Sequence, residues 1–383
     1  MVDHQMRIVI LGTAYPYRGG LASFNERLAR QFISEGHEVE IITFTLQYPS
    51  LLFPGKTQYS TDTPPQDLMI KRKLNAVNPV SWIKTGNYIK NLHPDILIIK
   101  FWIPHMAPCF GKVACIVKSN NKTNIISILD NVLPHENHFY DKPLIQYFVN
   151  SIDAFIAMSD KVLQDLALFN QSKPKLLCPH PLYDNYGSIQ DKNEARKKLN
   201  LPPNNTILLF FGFIRDYKGL DLLMKAYADK RIDKMKTTLV VAGEFYNNKE
   251  QYKNLERQLG LEGTIRWFDD FIPNDEVSTF FSACDIVVQP YKSATQSGVT
   301  QIAYHFNKPM LVTNVGGLAE LVPDGKVGYV VQPNPDAIAD AIVQFLSIDP
   351  DKTFAQNIEL EKQKYAWGNM TKAIINVKNQ ISC

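Results

Sequence analysis

The fold of this chain is indicated by residues 8–42, which read IVILGTAYPYRGGLASFNERLARQFISEGHEVEII. The apolar run 8–11 is typical of a buried strand, and residues 39–42 resume the same pattern. Between these runs, apolar residues recur with helical spacing at Leu21, Phe24, Leu28 and Phe32, and Gly36 ends the helix. The stretch therefore predicts a β-α-β unit, which implies a parallel sheet covered by helices.

Further apolar runs fall into two groups separated by a charged, proline-bounded break at 179–203. They lie at 96–99, 125–129 and 154–158, and then at 207–211, 239–242, 265–268, 286–288 and 310–312. Between 45 and 94, Pro49, Pro54, Pro64, Pro65 and Pro79 predict long loops rather than a packed repeat. We predict an α/β chain of two doubly wound Rossmann-like domains, residues 1–185 and 186–365, whose ligand sites face one central cleft.

The composition argues against several classes of function. The 383 residues include 41 Lys and Arg against 38 Asp and Glu, and a net charge of +3 is too small to indicate nucleic-acid binding. Five cysteines without a C-x-x-C pair indicate reduced thiols. No apolar segment approaches the roughly 18 residues of a transmembrane helix. We therefore expect a cytoplasmic protein, with any membrane contact peripheral and at the inner membrane face.

Two glycine-containing loops are candidates for anion binding. Gly19 and Gly20 lie between the first strand and helix, where missing side chains let a phosphate approach backbone amides. Residues 211–220, FGFIRDYKGL, place Arg215 and Lys218 three positions apart between a buried strand and a helix. Arginine can bind phosphate oxygens through two parallel hydrogen bonds, and lysine adds a compact charge. A solvated loop with two surface cations is the alternative interpretation.

Two more helix starts in the second half carry candidate phosphate-binding groups. Residues 295–301, TQSGVTQ, precede an apolar helix that begins at Ser297 or Gly298, whose free amides would point at an anion. An ordinary helix cap explains the same residues. Gly316 and Gly317 precede another helix start, which carries Glu320. The glycines give neither a dinucleotide fingerprint nor a P-loop, which argues against a nicotinamide-dependent dehydrogenase.

The order of these motifs resembles glycosyltransferase family 4, a group with the GT-B architecture. The matching features are the Gly-Gly loop, the G-x-x-R-x-x-K-G motif at 212–219 and K-P-x-x-x-T-x-V-G-G-L-x-E at 308–320. The resemblance implies that residues 1–185 form the acceptor-side domain and 186–365 the nucleotide-sugar-binding domain. It further implies that a C-terminal helix at 366–383 packs back on the first domain. Such enzymes typically retain anomeric configuration and use no metal and no cofactor, because the nucleotide-sugar is itself a substrate.

The resemblance also assigns roles to individual residues. We predict Arg215, Lys218 and Asp130 as catalytic residues, the two cations holding the donor diphosphate and Asp130 binding sugar hydroxyls. Predicted donor-binding residues are Gly19, Gly20, Ser297, Gly298, Val299, Thr300, Gln301 and Glu320. Trp102 and His135 are predicted on the acceptor side. Core packing explains Trp102 at least as well, and loop capping explains Asp130 and His135 almost as well.

The chain departs from the family pattern at two positions. The family usually has two glutamates eight positions apart around the phosphate-binding helix, and alignment on Lys308-Pro309 places Ala294 or Thr295 and Ile302 there. Gln301 could take over one hydrogen-bonding role. We expect a transferase that moves a sugar from a UDP, GDP or ADP donor to a glycan, lipid-linked or other glycoconjugate acceptor in polysaccharide biosynthesis. The missing glutamates leave open a non-catalytic binding protein, and a GT-B sugar-nucleotide epimerase is a third possibility.

Overall fold

The computed structural model describes residues 5–49, 58–60, 63–134, 138–246, 249–294 and 297–381. It divides the chain into two compact units, Met1–His180 with Trp367–Cys383, and Pro181–Ala366. Each unit is a parallel sheet with helices packed on it, the α/β class that the alternating apolar runs predicted. All four cysteines that the structure describes have free thiols.

The first unit contains a seven-stranded parallel sheet in the order β3-β2-β1-β4-β5-β6-β7. Its strands are β1 Arg7–Leu11, β2 Glu38–Leu46, β3 Met69–Asn75, β4 Ile96–Phe101, β5 Asn124–Leu129, β6 Ala154–Ala157 and β7 Lys175–Leu177. Its helices are α1 Gly20–Ser34, α2 Pro79–Leu92, α3 Ala107–Lys118, α4 Asp141–Ser151, α5 Asp160–Ala167 and, from the end of the chain, α13 Trp367–Ile381. The central strands read as continuous apolar runs because helices cover both faces of the sheet.

Helices α1 and α13 cover one face of this sheet, and α2 to α5 cover the other. On α1 the helical spacing read from the sequence places Phe24, Leu28 and Phe32 in the core. Helix α13 contributes Met370 and Ile374 to the same cluster. The last helix of the chain is thus part of the core of the first unit.

The prediction of long loops across 45–94 was wrong for its second half, where β3 and α2 form. Pro79 does not oppose the helix because it stands in the first turn of α2, where its backbone nitrogen needs no intrahelical partner. Asn78 caps that helix by accepting a hydrogen bond from the Val80 N–H. Pro49, Pro64 and Pro65 fall outside regular elements, and Pro54 lies outside the described residues.

The second unit contains a six-stranded parallel sheet in the order β10-β9-β8-β11-β12-β13. Its strands are β8 Thr206–Phe211, β9 Thr237–Ala242, β10 Ile265–Phe268, β11 Ile286–Gln289, β12 Met310–Thr313 and β13 Gly328–Val331. Its helices are α6 Lys192–Lys198, α7 Leu220–Tyr227, α8 Lys249–Gln258, α9 Val277–Ala283, α10 Gly298–His305, α11 Pro335–Leu346 and α12 Pro350–Lys362. Because all strands are parallel, the loops after β8 and β11 lie at the same edge of this sheet.

No helix among the described residues is both long and apolar enough to cross a membrane.

Replacing Ile374 by Ala tests the contribution of α13 to the first unit. Ile374 is fully buried, so the change should lower the free energy of unfolding by about 2–5 kcal/mol through lost transfer energy and a residual cavity. Asn376→Ala, at an exposed position of the same helix, is the matched control and should change stability little. Urea unfolding of both variants measures the difference, and equal small effects would argue against α13 as a core element.

Candidate functional site

The loop between β8 and α7 buries Lys218 by means of two glycines with left-handed backbones. Gly219 has a φ of 67°, and a Cβ at this position would collide with the carbonyl oxygen of Pro290, so only glycine fits. Gly212 has a φ of 94°, and the Lys218 Nζ lies 3.0 Å from the position a Cβ would take there. The ammonium group therefore rests against the Gly212 backbone, in space that a side chain would fill.

Lys218 and Arg215 form a concentration of positive charge without a compensating carboxylate. Burial and then repulsion by Arg215 lower the pKa of Lys218 to about 8, and its side chain is only 9% exposed. Neither cation has a carboxylate partner among the described residues, and aromatic rings take that place. The Lys218 Nζ lies 5.8 Å from the Tyr291 ring centroid, and the Arg215 Cζ lies 4.1 Å from that of Tyr246. The arrangement is electrostatically suited to an anion.

The first turn of α10 approaches the same point. A methyl carbon of Val299 lies 3.8 Å from the position that a Gly212 Cβ would take, so it adjoins Lys218. The N-cap residue is Ser297, whose hydroxyl lies 3.2 Å from that of Tyr291. The Thr300 N–H donates to the Ser297 carbonyl, which leaves the amides of Gly298 and Val299 without a described partner at the positive end of the helix.

Two of the predicted donor-binding side chains on α10 point into the protein. The hydroxyl of Thr300 is fully buried and donates to the Gln289 Oε1 at 3.2 Å. Gln301 is also buried, and its Oε1 has no hydrogen-bond partner among the described residues. A buried acceptor without a donor is costly, so Gln301 has spare hydrogen-bonding capacity. Glu320 is exposed in a 3-10 turn, Gly316–Leu321, and no described contact links it to Lys218.

Asp130 in the first unit is held by a buried lysine at the carboxyl ends of β4 and β5. The Lys100 Nζ donates to the Asp130 Oδ1 at 2.7 Å and lies 3.4 Å from the centroid of the Phe24 ring. Lys100 is almost completely buried, whereas Asp130 is partly exposed. Burial lowers the pKa of Lys100, and the charge and hydrogen bond of Asp130 act against that shift. Asp130 is therefore a carboxylate held in place through one oxygen, and its other oxygen has no hydrogen-bond partner among the residues that the structure describes.

A cavity of about 230 Å³ lies beside the loop between β1 and α1. Gly19 and Gly20 line it, and so does Tyr48, whose hydroxyl accepts a hydrogen bond from the Trp102 Nε1 at 2.8 Å. The Gly-Gly loop thus lines the cavity itself, whereas Trp102 lies behind its wall and contacts Tyr48. His135 lies outside the described residues.

Comparisons with known proteins match both halves of the chain to glycosyltransferases. The model of "Glycosyltransferase Family 4" matches residues 18–177, and that of "Glycosyl transferases group 1" matches residues 191–363. The chain belongs to the group 1 glycosyltransferases. The predicted fold class, GT-B with two Rossmann-like α/β domains, and the family resemblance are confirmed.

Individual relatives of this glycosyltransferase are distant. A D-inositol 3-phosphate glycosyltransferase from Corynebacterium urealyticum is 25% identical over 67% of this chain and 62% of its own length, so the chain spans about three fifths of that relative. An uncharacterized glycosyltransferase from Methanocaldococcus jannaschii is 23% identical over 97% of both chains. The solved structure of Anabaena HepE in complex with UDP has a TM-score of 0.68 at 16% identity, covering 98% of each chain. At that identity the similarity shows the fold.

Three residues that the structure of this glycosyltransferase places at the candidate sites were not predicted from the sequence. Lys100 follows the apolar run of β4, and a charge at the end of a buried strand is a signal that could have found it. Tyr291 and Tyr246 contact the two cations of the 212–219 motif. Nothing in the sequence identifies these tyrosines, because their positions follow from the pairing of β8 with β11 and β9.

Asp130→Asn is expected to destabilise the protein because it leaves the Lys100 ammonium buried without a counter-charge. The cost should be about 3–5 kcal/mol, and Lys100→Met combined with Asp130→Asn should recover most of it. The loss should shrink as pH rises, because an uncompensated Lys100 can then become neutral. Urea unfolding of the two single variants and the double variant completes a cycle that measures the coupling.

The same double variant separates a structural from a catalytic role for Asp130. If it folds and regains sugar transfer, Asp130 serves only to neutralise Lys100. If it folds and stays inactive, Asp130 acts on a substrate as predicted.

Lys218→Met is expected to stabilise the ligand-free protein at neutral pH. A lysine whose folded-state pKa lies below its unfolded value opposes folding while it is protonated, so this penalty is complete below about pH 8 and disappears towards 10.5. The difference between the ordinary pKa of 10.5 and the lowered pKa of about 8 corresponds to about 3 kcal/mol. This value is an upper limit for the gain in the free energy of unfolding. The gain should fall as pH rises to about 10. Urea unfolding beside the exposed control Lys236→Met tests this, and a destabilised Lys218→Met at neutral pH would contradict it.

Proposed function

We propose that this glycosyltransferase transfers a sugar from a nucleoside diphosphate donor, with retention of anomeric configuration and without a metal ion. The observation that carries the proposal is the buried Lys218 without a counter-charge, beside Arg215 and the first turn of α10. Three features that favour an anion converge there: an ammonium, a guanidinium and helix amides that have no partner in the described part of the chain. A diphosphate would supply the missing negative charge.

The same groups suit the departure of a nucleoside diphosphate. As the bond between the anomeric carbon and the β-phosphate oxygen breaks, negative charge grows on that oxygen, and Lys218 and Arg215 stabilise it. The acceptor hydroxyl attacks the anomeric carbon on the same face and passes its proton to the leaving phosphate oxygen. This route forms one C–O bond, breaks another and requires no separate protein base.

Exposed aromatic rings beside the cations could bind the nucleoside. Tyr246 stacks with Arg215, and Phe213 lies 6.5 Å from Phe271 between ring centroids. All three rings are well exposed, which is costly unless a planar group covers them. The Gln301 Oε1, which has no partner among the described residues, can accept a hydrogen bond from a ribose or sugar hydroxyl. The complex of the similar HepE with UDP makes uridine the first base to test, with guanosine and adenosine next.

The acceptor is proposed to be a glycan or another glycoconjugate that binds in the first unit. The cavity beside Gly19 and Gly20 has a polar wall that includes Thr13 and Gln47, and it adjoins the Tyr48–Trp102 pair. Hydroxyl, amide and aromatic groups of this kind recognise sugars through hydrogen bonds and ring stacking. The carboxylate of Asp130 would bind sugar hydroxyls at the same edge of the sheet.

A non-catalytic nucleotide-binding protein is the second candidate, and the substitution of the family glutamates by residues such as Ile302 favours it. A single assay distinguishes this second candidate function from the first. Release of nucleoside diphosphate from a donor by the purified protein, accelerated by acceptor, excludes it. Turnover that needs no acceptor and yields an altered sugar nucleotide would instead indicate an epimerase.

Thermal shift with UDP, GDP, ADP and CDP tests the donor site directly. We expect one nucleotide at 100 times its dissociation constant to add about 2.7 kcal/mol of stability. Lys218→Ala should abolish that shift, and in a transfer assay it should cost roughly 2–4 kcal/mol of transition-state stabilisation. The matched control Lys236→Ala removes an exposed lysine that precedes β9, at the opposite edge of the sheet, and should keep the shift.

Two results would contradict the proposal, one the donor site and the other the metal-independent mechanism. A nucleotide shift that survives in Lys218→Ala would place the diphosphate elsewhere. Loss of transfer on addition of EDTA, with recovery on addition of a divalent cation, would overturn the metal-independent mechanism.

A further inference from the structure

Helices α2, α3 and α4 form a continuous layer on one face of the first sheet. Gly86 of α2 lets Ile116 of α3 approach so closely that a Cβ there would collide with it, and Gly111 of α3 does the same for the Tyr147 ring of α4. Each helix follows a parallel strand, so all three begin at the carboxyl edge of the sheet. The Gly19–Gly20 loop and Asp130 lie at that edge too.

The outer surface of this layer exposes apolar side chains at its carboxyl-edge end. Phe139, just before α4, is 94% exposed, and Val77 and Val80 at the start of α2 are 57% and 58% exposed. Ile83 and Tyr147 are also exposed on the same helices. Single exposed apolar residues are ordinary, but several on one helix layer indicate a surface that is covered in function.

The charged side chains of these three helices are almost all positive. Its lysines are Lys84 and Lys90 on α2, Lys112 and Lys118 on α3, and Lys142 on α4. The three helices contain a single carboxylate, Asp141, which is 2% exposed and accepts a hydrogen bond from the His138 N–H. Lys118 pairs with Asp153, whereas Lys84, Lys112 and Lys142 are exposed and form no ion pair with the described residues.

We propose that this surface, the α2–α4 face defined by Val77, Val80, Ile83, Lys84, Lys112, Phe139, Lys142 and Tyr147, binds an anionic lipid bilayer. Exposed apolar side chains can enter the boundary between headgroups and acyl chains, while lysines extend along it to reach phosphates. Protein–protein interfaces are depleted in lysine and enriched in arginine, and all the basic side chains of these helices are lysines. The composition therefore favours lipid headgroups over a protein partner.

Bilayer binding through the α2–α4 face would hold the carboxyl edge of the first sheet near the membrane. The cavity beside Gly19 and Gly20 would then be close to headgroup depth, which suits an acceptor sugar carried on a membrane lipid. This second step, the choice of a lipid-linked acceptor, rests on the proposed function, whereas bilayer binding does not. The two can therefore fail separately.

Sedimentation with vesicles tests the surface. The protein should bind vesicles of phosphatidylcholine mixed with phosphatidylglycerol, bind phosphatidylcholine alone much more weakly, and release on addition of salt. Each lysine near the bilayer should raise the binding constant for vesicles about five-fold. The triple variant Lys84→Gln, Lys112→Gln, Lys142→Gln should therefore bind roughly 100-fold more weakly. The triple variant Lys230→Gln, Lys236→Gln, Lys326→Gln removes the same charge from exposed positions of the second unit and should bind like the unchanged protein.

An apolar variant and a nucleotide readout complete the experiment. Phe139→Ser with Val80→Ser should weaken binding even though the net charge is unchanged, because apolar area no longer enters the bilayer. The nucleotide-induced thermal shift should remain in every variant, which shows that the fold and donor site are intact. Absence of binding to anionic vesicles, or equal loss in the two lysine triples, would overturn the proposal. Binding without any nucleotide shift would leave it standing and would count against the proposed function alone.

Discussion

The approach of the Gly219 backbone to the carbonyl oxygen of Pro290 is the constraint on which the second unit's site depends. It joins the loop after β8 to the loop after β11, and the two strands are neighbours in the sheet. With no side chain in the way, the 3-10 turn Asp216–Lys218 folds inward and Lys218 reaches Gly212. The first turn of α10 then adjoins the same ammonium group. The positions of cation and helix terminus are thus consequences of one backbone contact.

The two buried lysines of this glycosyltransferase differ in how their charge is balanced. Lys100 has Asp130 at 2.7 Å, and such a pair can be neutral overall and fix a carboxylate at the sheet edge. Lys218 has a second cation nearby and no carboxylate among its described neighbours. Evolution tolerates an uncompensated buried charge mainly where a ligand supplies the compensation. Lys100 therefore has a structural role, whereas Lys218 is suited to binding an anion.

Much of the fold could be predicted because the central strands are buried on both faces and read as apolar runs. The β-α-β reading of residues 8–42, and the later runs at 207–211 and 239–242, all correspond to strands and helices. The segment around β3 and α2 was missed because Met69–Asn75 is largely polar and lies at the sheet edge, where Leu74 is its one buried residue and leaves a weak signal. The motif that contains Arg215 and Lys218 was visible in the sequence. Their aromatic neighbours and the pairing of Lys100 with Asp130 were not, because they depend on which strands become neighbours.

The lowered pKa of Lys218 also has a consequence for chemical reactivity. With a pKa of about 8, Lys218 gives up its proton near neutral pH far more readily than an ordinary lysine, which is almost entirely protonated there. A neutral amine is a nucleophile, and because Lys218 is only 9% exposed, compact electrophiles reach it more easily than bulky ones. Small acylating or carbamylating reagents should therefore modify this lysine ahead of the other lysines of the chain. A donor molecule that restores its positive charge would protect it from modification.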